Sequence, residues 1–342
     1  MSPARLDKGP RLTSDPGGWA GLRLDEPERP SRPVREVMMA QLGGSGPDAV
    51  PIGEVVAPPF ARTPSPDLFR RRAARFAAVA PHHPLGPYLS FLGRMAEVQA
   101  EIQDGLPDPA LPPPDALGRS REYGMPALPR SRFSADPACR ETLRRFFRAA
   151  AETEMPPDAR AALGRLVQTD DEMLAWMADN VTADAIPAHD AAAHVFAAAA
   201  LQVYAARAAS RLDAAALVPV GDGICPACGS PPTSSVIVGW EGAHGARFCS
   251  CSLCGTLWNY VRIRCTACGS TEGISYQELD GSAGAVKAEC CSRCRTFAKV
   301  LQQAKHPALD PVADDVATLA LDMLLGEEGL RRSGRNPFLM GY

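Results

Sequence analysis

Four Cys-x-x-Cys pairs in the second half of the chain constrain its fold more than any other feature. Eight of the eleven cysteines form these pairs, which are Cys225/Cys228, Cys251/Cys254, Cys265/Cys268 and Cys291/Cys294. Adding 40 to the number of any cysteine in the first two pairs gives a cysteine of the last two. The segment is therefore an internal duplication, with a first repeat at 225–254 and a second repeat at 265–294.

Each repeat contains the ligands for one closed metal site. Two Cys-x-x-Cys turns present four thiolates, and a shell of four sulfurs holds zinc or iron in a tetrahedral arrangement. The eight paired cysteines are therefore the predicted metal ligands, with two ions per chain. The spacing favours a structural role for the metal over a chemical one, and it does not distinguish zinc from iron.

Cys249 and Cys290 lie among the pairs but outside the repeat. Their counterparts at the 40-residue offset are Glu289 and Ser250, so the duplication does not reproduce them. We predict that both are non-ligands. A disulfide framework is disfavoured, because the N-terminus has no apolar signal core and clustered cysteines in a reducing compartment bind metal instead.

The segments between the pairs predict short strands joined by glycine-containing turns. In the first repeat they are 235–238 and 246–248, and in the second they are 274–279 and 285–288. A hairpin between two cysteine turns is typical of zinc ribbons and rubredoxin-like modules. The predicted fold class is α+β, with an N-terminal helical domain followed by two tandem modules of this kind and a C-terminal helix.

These patterns divide the chain into five parts. They are a Pro- and Gly-rich, partly disordered segment at 1–64, a helical domain at 65–219, a first rubredoxin-like four-cysteine module at 220–258, a second at 259–305, and a C-terminal helix and tail at 306–342.

Apolar residues at helical spacing predict where the helices lie. One helix begins with Ser65 as N-cap and Pro66 as its first residue, and a second follows Pro87. Further helices are predicted at 138–151, 158–180, 187–216 and 311–332, the fifth of the six being alanine-rich and central, with little regular structure at 106–137. Asp314 and Asp315 fall in the first turn of the last helix, where a solvated or capping role is expected.

Charge and motif content exclude several classes of function. The formal net charge is -3 and the isoelectric point is about 6.1, with acidic and basic residues balanced in the repeats, so a nucleic-acid partner is not expected. No apolar run is long enough to insert in a membrane, and a cytoplasmic location is predicted. No phosphate loop or nucleophile motif is present, so we predict that the protein is not an enzyme.

Several sequence motifs together resemble the FdhE family of formate dehydrogenase accessory proteins. They are the four cysteine pairs in this layout, the stretch from Leu257 to Cys265, Val312-Ala313-Asp314-Asp315, the ending Asn336-Pro337-Phe338-Leu339, and His83-Pro84-Leu85 upstream. The resemblance covers about residues 52–342 and does not include the long Pro-rich segment at the N-terminus.

The resemblance implies a non-catalytic cytoplasmic factor that matures respiratory, molybdenum- or tungsten-dependent formate dehydrogenases before export. Its expected partner is the catalytic subunit of the dehydrogenase. The resemblance also implies rubredoxin-like iron binding at the cysteine pairs, with zinc as the alternative metal. The sequence leaves the oligomeric state open, a homodimer included.

Two other functions remain as alternatives from the residues alone. A rubredoxin-like electron-transfer protein would need exposed, reversibly reducible iron, and it would have no use for a large helical domain. A zinc-ribbon nucleic-acid-binding protein would need a basic face, which the balanced charge of the repeats does not favour.

Overall fold

The computed structural model describes residues 12–14, as a backbone strand, and 57–339. Within these ranges the α-helices are α1 (Leu68–Val79), α2 (Gly86–Glu101), α3 (Pro114–Glu122), α4 (Pro137–Ala151), α5 (Pro157–Val167), α6 (Asp171–Ala183), α7 (Ala191–Ser210), α8 (Ala313–Ala317) and α9 (Leu319–Glu327). The strands are β1 (Leu12–Ser14), β2 (Ala61–Arg62), β3 (Pro232–Ile237), β4 (Arg247–Cys251), β5 (Leu257–Tyr260), β6 (Ile274–Leu279), β7 (Val286–Cys291), β8 (Thr296–Leu301) and β9 (Arg331–Arg332). The predicted disordered segment at 1–64 lies mostly outside the described residues.

All of these strands belong to one sheet. Its order is β1-β6-β7-β8-β3-β4-β5-β2, and β9 pairs with β8. Each repeat contributes an antiparallel meander, β3-β4-β5 from the first and β6-β7-β8 from the second. Parallel pairing of β3 with β8, with Ser235 opposite Val300, joins the two meanders. The duplicated sequence therefore folds twice into the same unit, and the two units share one hydrogen-bonded sheet.

The predicted hairpin between the cysteine turns is present in both repeats, as β3-β4 and β6-β7, and the meander extends it by one strand. Each repeat has a third strand, β5 or β8, which follows its second Cys-x-x-Cys pair and hydrogen bonds to the strand before the pair. The fold class itself is confirmed. A helical N-terminal region precedes the sheet that contains the two cysteine clusters, and helices follow it.

The alanine-rich helix α7 lies at the centre of the helical region. It contacts α2, α4, α5 and α6, and its residues are buried on nearly every side. Small side chains allow neighbouring helices to approach closely, which explains why a helix that is apolar all round occupies this position. No helix within residues 57–339 combines the length and apolarity that crossing a bilayer requires.

Several helix predictions differ from the structure. The helix predicted at 158–180 is two helices, α5 and α6, because the Asp170 carboxylate accepts the Met173 N–H at 2.9 Å and caps a new helix. The first helix begins at Leu68 rather than Pro66, with Asp67 and not Ser65 as its N-cap. The region at 106–137 contains the nine-residue helix α3, which the sequence pattern does not predict.

The last predicted helix, at 311–332, is also divided. It consists of α8, α9 and the short strand β9. The prediction of a solvated role for Asp314 is wrong, because Arg75 of α1 donates to both of its carboxylate oxygens, at 2.6 and 2.8 Å. The partner of this carboxylate lies 239 residues away in sequence, so local pattern could not identify it.

Asp315 is likewise buried rather than solvated. It forms ion pairs with Lys299 of β8 and Arg332 of β9, and Asp322 of α9 pairs with the same two bases. The two acids and two bases neutralise one another inside the protein, which is the condition for burying such charges. The cluster fastens the C-terminal helices to the second repeat.

Candidate metal centres

The first four-cysteine group forms where the two cysteine turns of the first repeat meet. Cys251 is the last residue of β4, and the turn containing Cys225 and Cys228 precedes β3. The Sγ atoms of Cys225 and Cys254 are 3.7 Å apart, and those of Cys228 and Cys251 are 3.4 Å apart. All four ligand atoms lie within 4.8 Å of one another.

The second repeat builds the same arrangement. Cys291 is the last residue of β7, in the position that Cys251 has at the end of β4. The Sγ atoms of Cys265 and Cys294 are 3.6 Å apart, and those of Cys268 and Cys291 are 3.8 Å apart. The structure thus brings together the eight cysteines that the sequence singles out, four from each repeat, with no exchange of pairs between repeats.

These distances fit a tetrahedral ion. A shell of four sulfurs with metal–sulfur bonds of about 2.3 Å has sulfur–sulfur edges of about 3.8 Å. The edges given above, between 3.4 and 3.8 Å, are close to this value and far from a disulfide bond. Each group could therefore hold one metal ion, and a donor set of four sulfurs is suited to zinc and to iron alike.

The backbone is left-handed directly after the second cysteine of every pair. Gly229, Gly255 and Gly269 each follow the second cysteine of a pair and have φ angles of 75°, 73° and 70°. Arg295 occupies the fourth such position and keeps a positive φ of 58° despite its side chain. Its guanidinium donates to the Glu328 carbonyl at 2.9 Å, a contact that glycine could not make.

Hydrogen bonds to the sulfurs occur in both repeats as well. The N–H groups of Leu253 and Cys254 donate to Cys251 Sγ at 3.4 and 3.3 Å, and the Ala267 N–H donates to Cys265 Sγ at 3.4 Å. Donors of this kind stabilise thiolate charge, which metal ligation requires. The turns therefore provide donors that would stabilise ligand thiolates.

Cys249 and Cys290 lie outside both four-cysteine groups. Cys249 is buried beside the Ser235 hydroxyl, 3.6 Å from its oxygen, and burial raises the pKa of its thiol. Burial also raises the pKa of Cys290, to about 12. Both side chains therefore remain protonated at neutral pH, as expected of packing residues.

A buried ion pair between the repeats was not apparent from the sequence. Arg247 of β4 donates to Glu289 of β7 at 2.9 Å, and both side chains are almost fully buried. The Tyr276 hydroxyl donates to the same carboxylate oxygen at 2.8 Å. Burial raises the pKa of Glu289, whereas Glu289 holds the pKa of Arg247 above its ordinary value although burial alone would lower it.

The guanidinium of Arg247 also donates to three carbonyl groups in the connection between the repeats, those of Val261, Arg262 and Arg264. We call the Arg247, Glu289 and Tyr276 side chains the inter-repeat lock. The lock fixes the orientation of one four-cysteine group relative to the other.

Comparison with known proteins assigns this architecture to a family. Models described as FdhE, N-terminal; FdhE, central domain; and FdhE, C-terminal domain match residues 57–222, 224–262 and 263–339. Together they account for nearly all of the body formed by 57–339.

Individual relatives agree with the family models. The chain is 46% identical over 299 residues to the protein FdhE homolog of Rhizobium meliloti (strain 1021), covering 86% of this chain and 98% of that protein. It is 35% identical over 290 residues to the homolog of Cronobacter sakazakii (strain ATCC BAA-894), covering 83% and 92%. The crystal structure of the FdhE protein from Pseudomonas aeruginosa matches with a TM-score of 0.74 and 33% identity, covering 83% of this chain and 99% of that one. The chain therefore belongs to the FdhE family of formate dehydrogenase accessory proteins.

Proposed function

We propose that this protein is a maturation factor that binds the catalytic subunit of a respiratory formate dehydrogenase in the cytoplasm and is needed for its assembly or activation. The eight paired cysteines hold two metal ions in this proposal, one for each repeat. The observation that carries it is the match to three successive FdhE models across 57–339.

The C-terminal motif that carries the resemblance holds neighbouring parts of the protein in place. Asn336 donates to Asp315 at 2.8 Å, and its own side-chain oxygen accepts the Phe338 N–H at 3.0 Å. The Tyr88 hydroxyl of α2 donates to the Phe338 carbonyl at 2.6 Å. The C-terminal ending is thus fastened to α2 and to the buried cluster around Asp315, which supports a protein whose output is a fixed surface.

A fixed surface is useful to a maturation factor because its client is incompletely folded. When one partner is preorganised, binding carries less ordering cost and more of the contact energy remains as affinity. The inter-repeat lock and the two four-cysteine groups provide this rigidity in the sheet. The helical region and the exposed parts of both repeats form the proposed docking face.

Iron is the proposed metal, with zinc as the alternative. Anaerobic purification followed by elemental analysis identifies the ion, and ferric iron bound to thiolates also colours the protein. An iron centre with four sulfur ligands changes charge by one unit between its two oxidation states without changing ligands. That property would let client binding respond to the redox state of the cell.

The proposal predicts that the protein recovers the dehydrogenase catalytic subunit from cells that make it. A tagged wild-type chain should retain that subunit in a pull-down at ~0.15 M salt, while a Cys265→Ser/Cys268→Ser double variant recovers less, because a collapsed second meander cannot present an ordered surface. Cys249→Ser is the matched control, since Cys249 is buried but not part of either group, and it should recover as much as the wild type. Recovery of the subunit by none of the three proteins would contradict the proposal.

A rubredoxin-like electron-transfer protein is the alternative that one observation favours. Cys268 of the second group is exposed, so an ion there would lie close to solvent. Rapid, reversible reduction of the purified protein by an electron donor, together with no recovery of the catalytic subunit, would favour this alternative. Neither function requires catalysis by the purified protein, and none is expected.

A further inference from the structure

We propose that the two four-cysteine sites are not equivalent: the first holds a permanent structural ion, and the second is an exchangeable site whose ion enters and leaves past Cys268. This inference rests on the proposed binding of one ion by each repeat. If so, only the second site would gain or lose its ion as the metal supply changes.

The ligands of the first site belong to the core of the helical region. Cys225, Cys228, Cys251 and Cys254 have relative exposures of 0, 1, 2 and 0%. All four pack in the same apolar cluster as α1, α2, α4 and α7. No ligand of the second site belongs to that cluster, as far as the described residues define it.

Hydrogen bonds attach the helical region to both cysteine turns of the first site. The N–H groups of Ala127 and Leu128 donate to the carbonyls of Pro226 and Ala227, between the first two ligands, at 3.1 and 2.7 Å. On the other turn, Gln202 of α7 donates to the Ser252 carbonyl at 2.8 Å. Both cysteine turns of the first site are therefore held by the helical region, and a competing ligand would have to reach sulfurs whose residues are at most 2% exposed.

The second site has no equivalent cover among the described residues. Cys268 is exposed and Cys294 is partly exposed. Ala267, Ser292 and Arg293, which lie between the ligands of the two turns, are exposed as well. The two turn tips that the helical region covers in the first repeat thus face solvent in the second.

Of the two hydroxyl groups near each set of ligands, one differs between the sites: Thr256 and Thr296 contact Cys254 and Cys294 alike, at 3.1 and 3.0 Å, whereas Ser230 and Ser270 do not behave alike. In the first site, the Ser230 hydroxyl lies 3.4 Å from Cys228 Sγ and also accepts from Arg130 at 3.0 Å. Ser270 is its counterpart at the 40-residue offset, and its hydroxyl instead donates to the Glu272 carbonyl at 3.2 Å and accepts the Glu272 N–H at 3.1 Å. The Cys228 sulfur has a fixed polar neighbour, whereas the hydroxyl that follows Cys268 is engaged elsewhere.

Exchange at an ion with four sulfur ligands requires an entering donor and a departing thiolate. The donor atom forms a bond to the metal as one metal–sulfur bond breaks, and the released thiolate takes a proton from water. Water can stabilise a thiolate that is released from the ion only where solvent reaches the sulfur. Among the eight ligands of the two sites, that condition favours Cys268. Because the departing sulfur in the first site would remain buried and unsolvated, release there requires local unfolding.

Chelation of the anaerobically purified full-length chain tests the inference. Protein as loaded in the cell is mixed with excess EDTA, desalted at successive times, and measured by elemental analysis; each sample is also alkylated with iodoacetamide and mapped by mass spectrometry. We expect one ion to be lost at least about tenfold faster than the other, a barrier difference of about 1.4 kcal/mol. The cysteines alkylated during the fast phase should be those of the second repeat.

Two outcomes would overturn the inference. One is loss of both ions in a single phase with both repeats alkylated together, and the other is earlier alkylation of the first repeat. Protein that carries a single ion after purification supports the inference if that ion is in the first site and overturns it if it is in the second. Protein without any ion overturns both this inference and the proposal of two ions per chain. The pull-down of the catalytic subunit is a separate measurement, and its result does not depend on the outcome of the chelation experiment.

A matched pair of variants keeps the inference testable if one variant fails to fold. Cys268→Ser should retain one ion that EDTA removes slowly, with a folded helical region by circular dichroism. Cys228→Ser changes the equivalent ligand of the first site and should retain only an ion that EDTA removes rapidly, or should fail to fold. A slowly released ion in folded Cys228→Ser protein would contradict the assignment of the exchangeable ion to the second site.

Discussion

Serine in place of Cys251 should remove one of the two metal ions and also loosen the helical region. The proposed ion would hold turns that pack in the same apolar cluster as α1, α2, α4 and α7, and metal binding in modules of this kind contributes folding free energy on the order of 10 kcal/mol. Cys291→Ser is the matched change at the 40-residue offset. It should also remove one ion, but its effect should stay within the second repeat and the C-terminal helices.

Elemental analysis and hydrogen exchange followed by mass spectrometry measure both effects. Peptides from α7 should lose protection in Cys251→Ser and keep it in Cys291→Ser. Cys249→Ser and Cys290→Ser are the controls, since both thiols are buried and lie outside the groups, and both variants should keep two ions. Loss of both ions from the single Cys251 change would indicate one shared cluster and would contradict two independent sites.

Breaking the inter-repeat lock should cause a large loss of stability while leaving the ligands intact. Glu289→Gln keeps the size of the side chain but leaves the buried guanidinium of Arg247 without a counter-charge. Removing one partner of a buried pair costs about 3–5 kcal/mol. The free energy of unfolding, measured by chemical denaturation of the metal-loaded protein, should fall by that amount.

The control for this experiment is an ion pair of similar length on the surface. Arg119 and Asp115 of α3 are 2.7 Å apart with side chains that are 59% and 67% exposed. Asp115→Asn should change stability by less than about 1 kcal/mol, because water screens exposed pairs. Equal effects of Glu289→Gln and Asp115→Asn would show that the lock contributes nothing beyond a surface contact.

Cysteine spacing predicts the composition of both four-cysteine groups because the chemistry of such a site is encoded locally. Each Cys-x-x-Cys turn must present two sulfurs on one side, and the 40-residue offset indicates which turns belong together. The positions of Gly229 and Gly269 follow from the same turn. Arg295 shows the limit of the pattern, since it adopts a positive φ of 58° without being glycine.

Features that depend on distant residues were not predictable in this way. The buried role of Asp314 depends on Arg75, and the lock joins Arg247 to Glu289, which is 42 residues further along the chain. A helix start rich in aspartate ordinarily faces water, so the sequence pattern around Asp314 and Asp315 favoured a solvated role. The difference in burial between the two four-cysteine groups has the same origin. The helical region buries the first group, and its residues lie far from that group in sequence.

The division of α5 from α6 illustrates a local signal that competes with periodicity. Apolar spacing continues from 158 to 180, but the capping carboxylate of Asp170 favours a new helix start. The third strands of the meanders escape prediction for a related reason. Strands β5 and β8 follow the cysteine turns directly, and the hairpin pattern is already complete before them.

The central claim is that this chain is needed to mature a formate dehydrogenase, and deletion with complementation tests it most directly. In a strain that lacks the gene, formate oxidation should be lost while an immunoblot still detects the catalytic subunit. The wild-type gene should restore activity, Cys249→Ser should restore it equally, and Cys251→Ser should not. Normal formate oxidation in the deletion strain, with the dehydrogenase expressed and no second copy of the gene, would contradict the account.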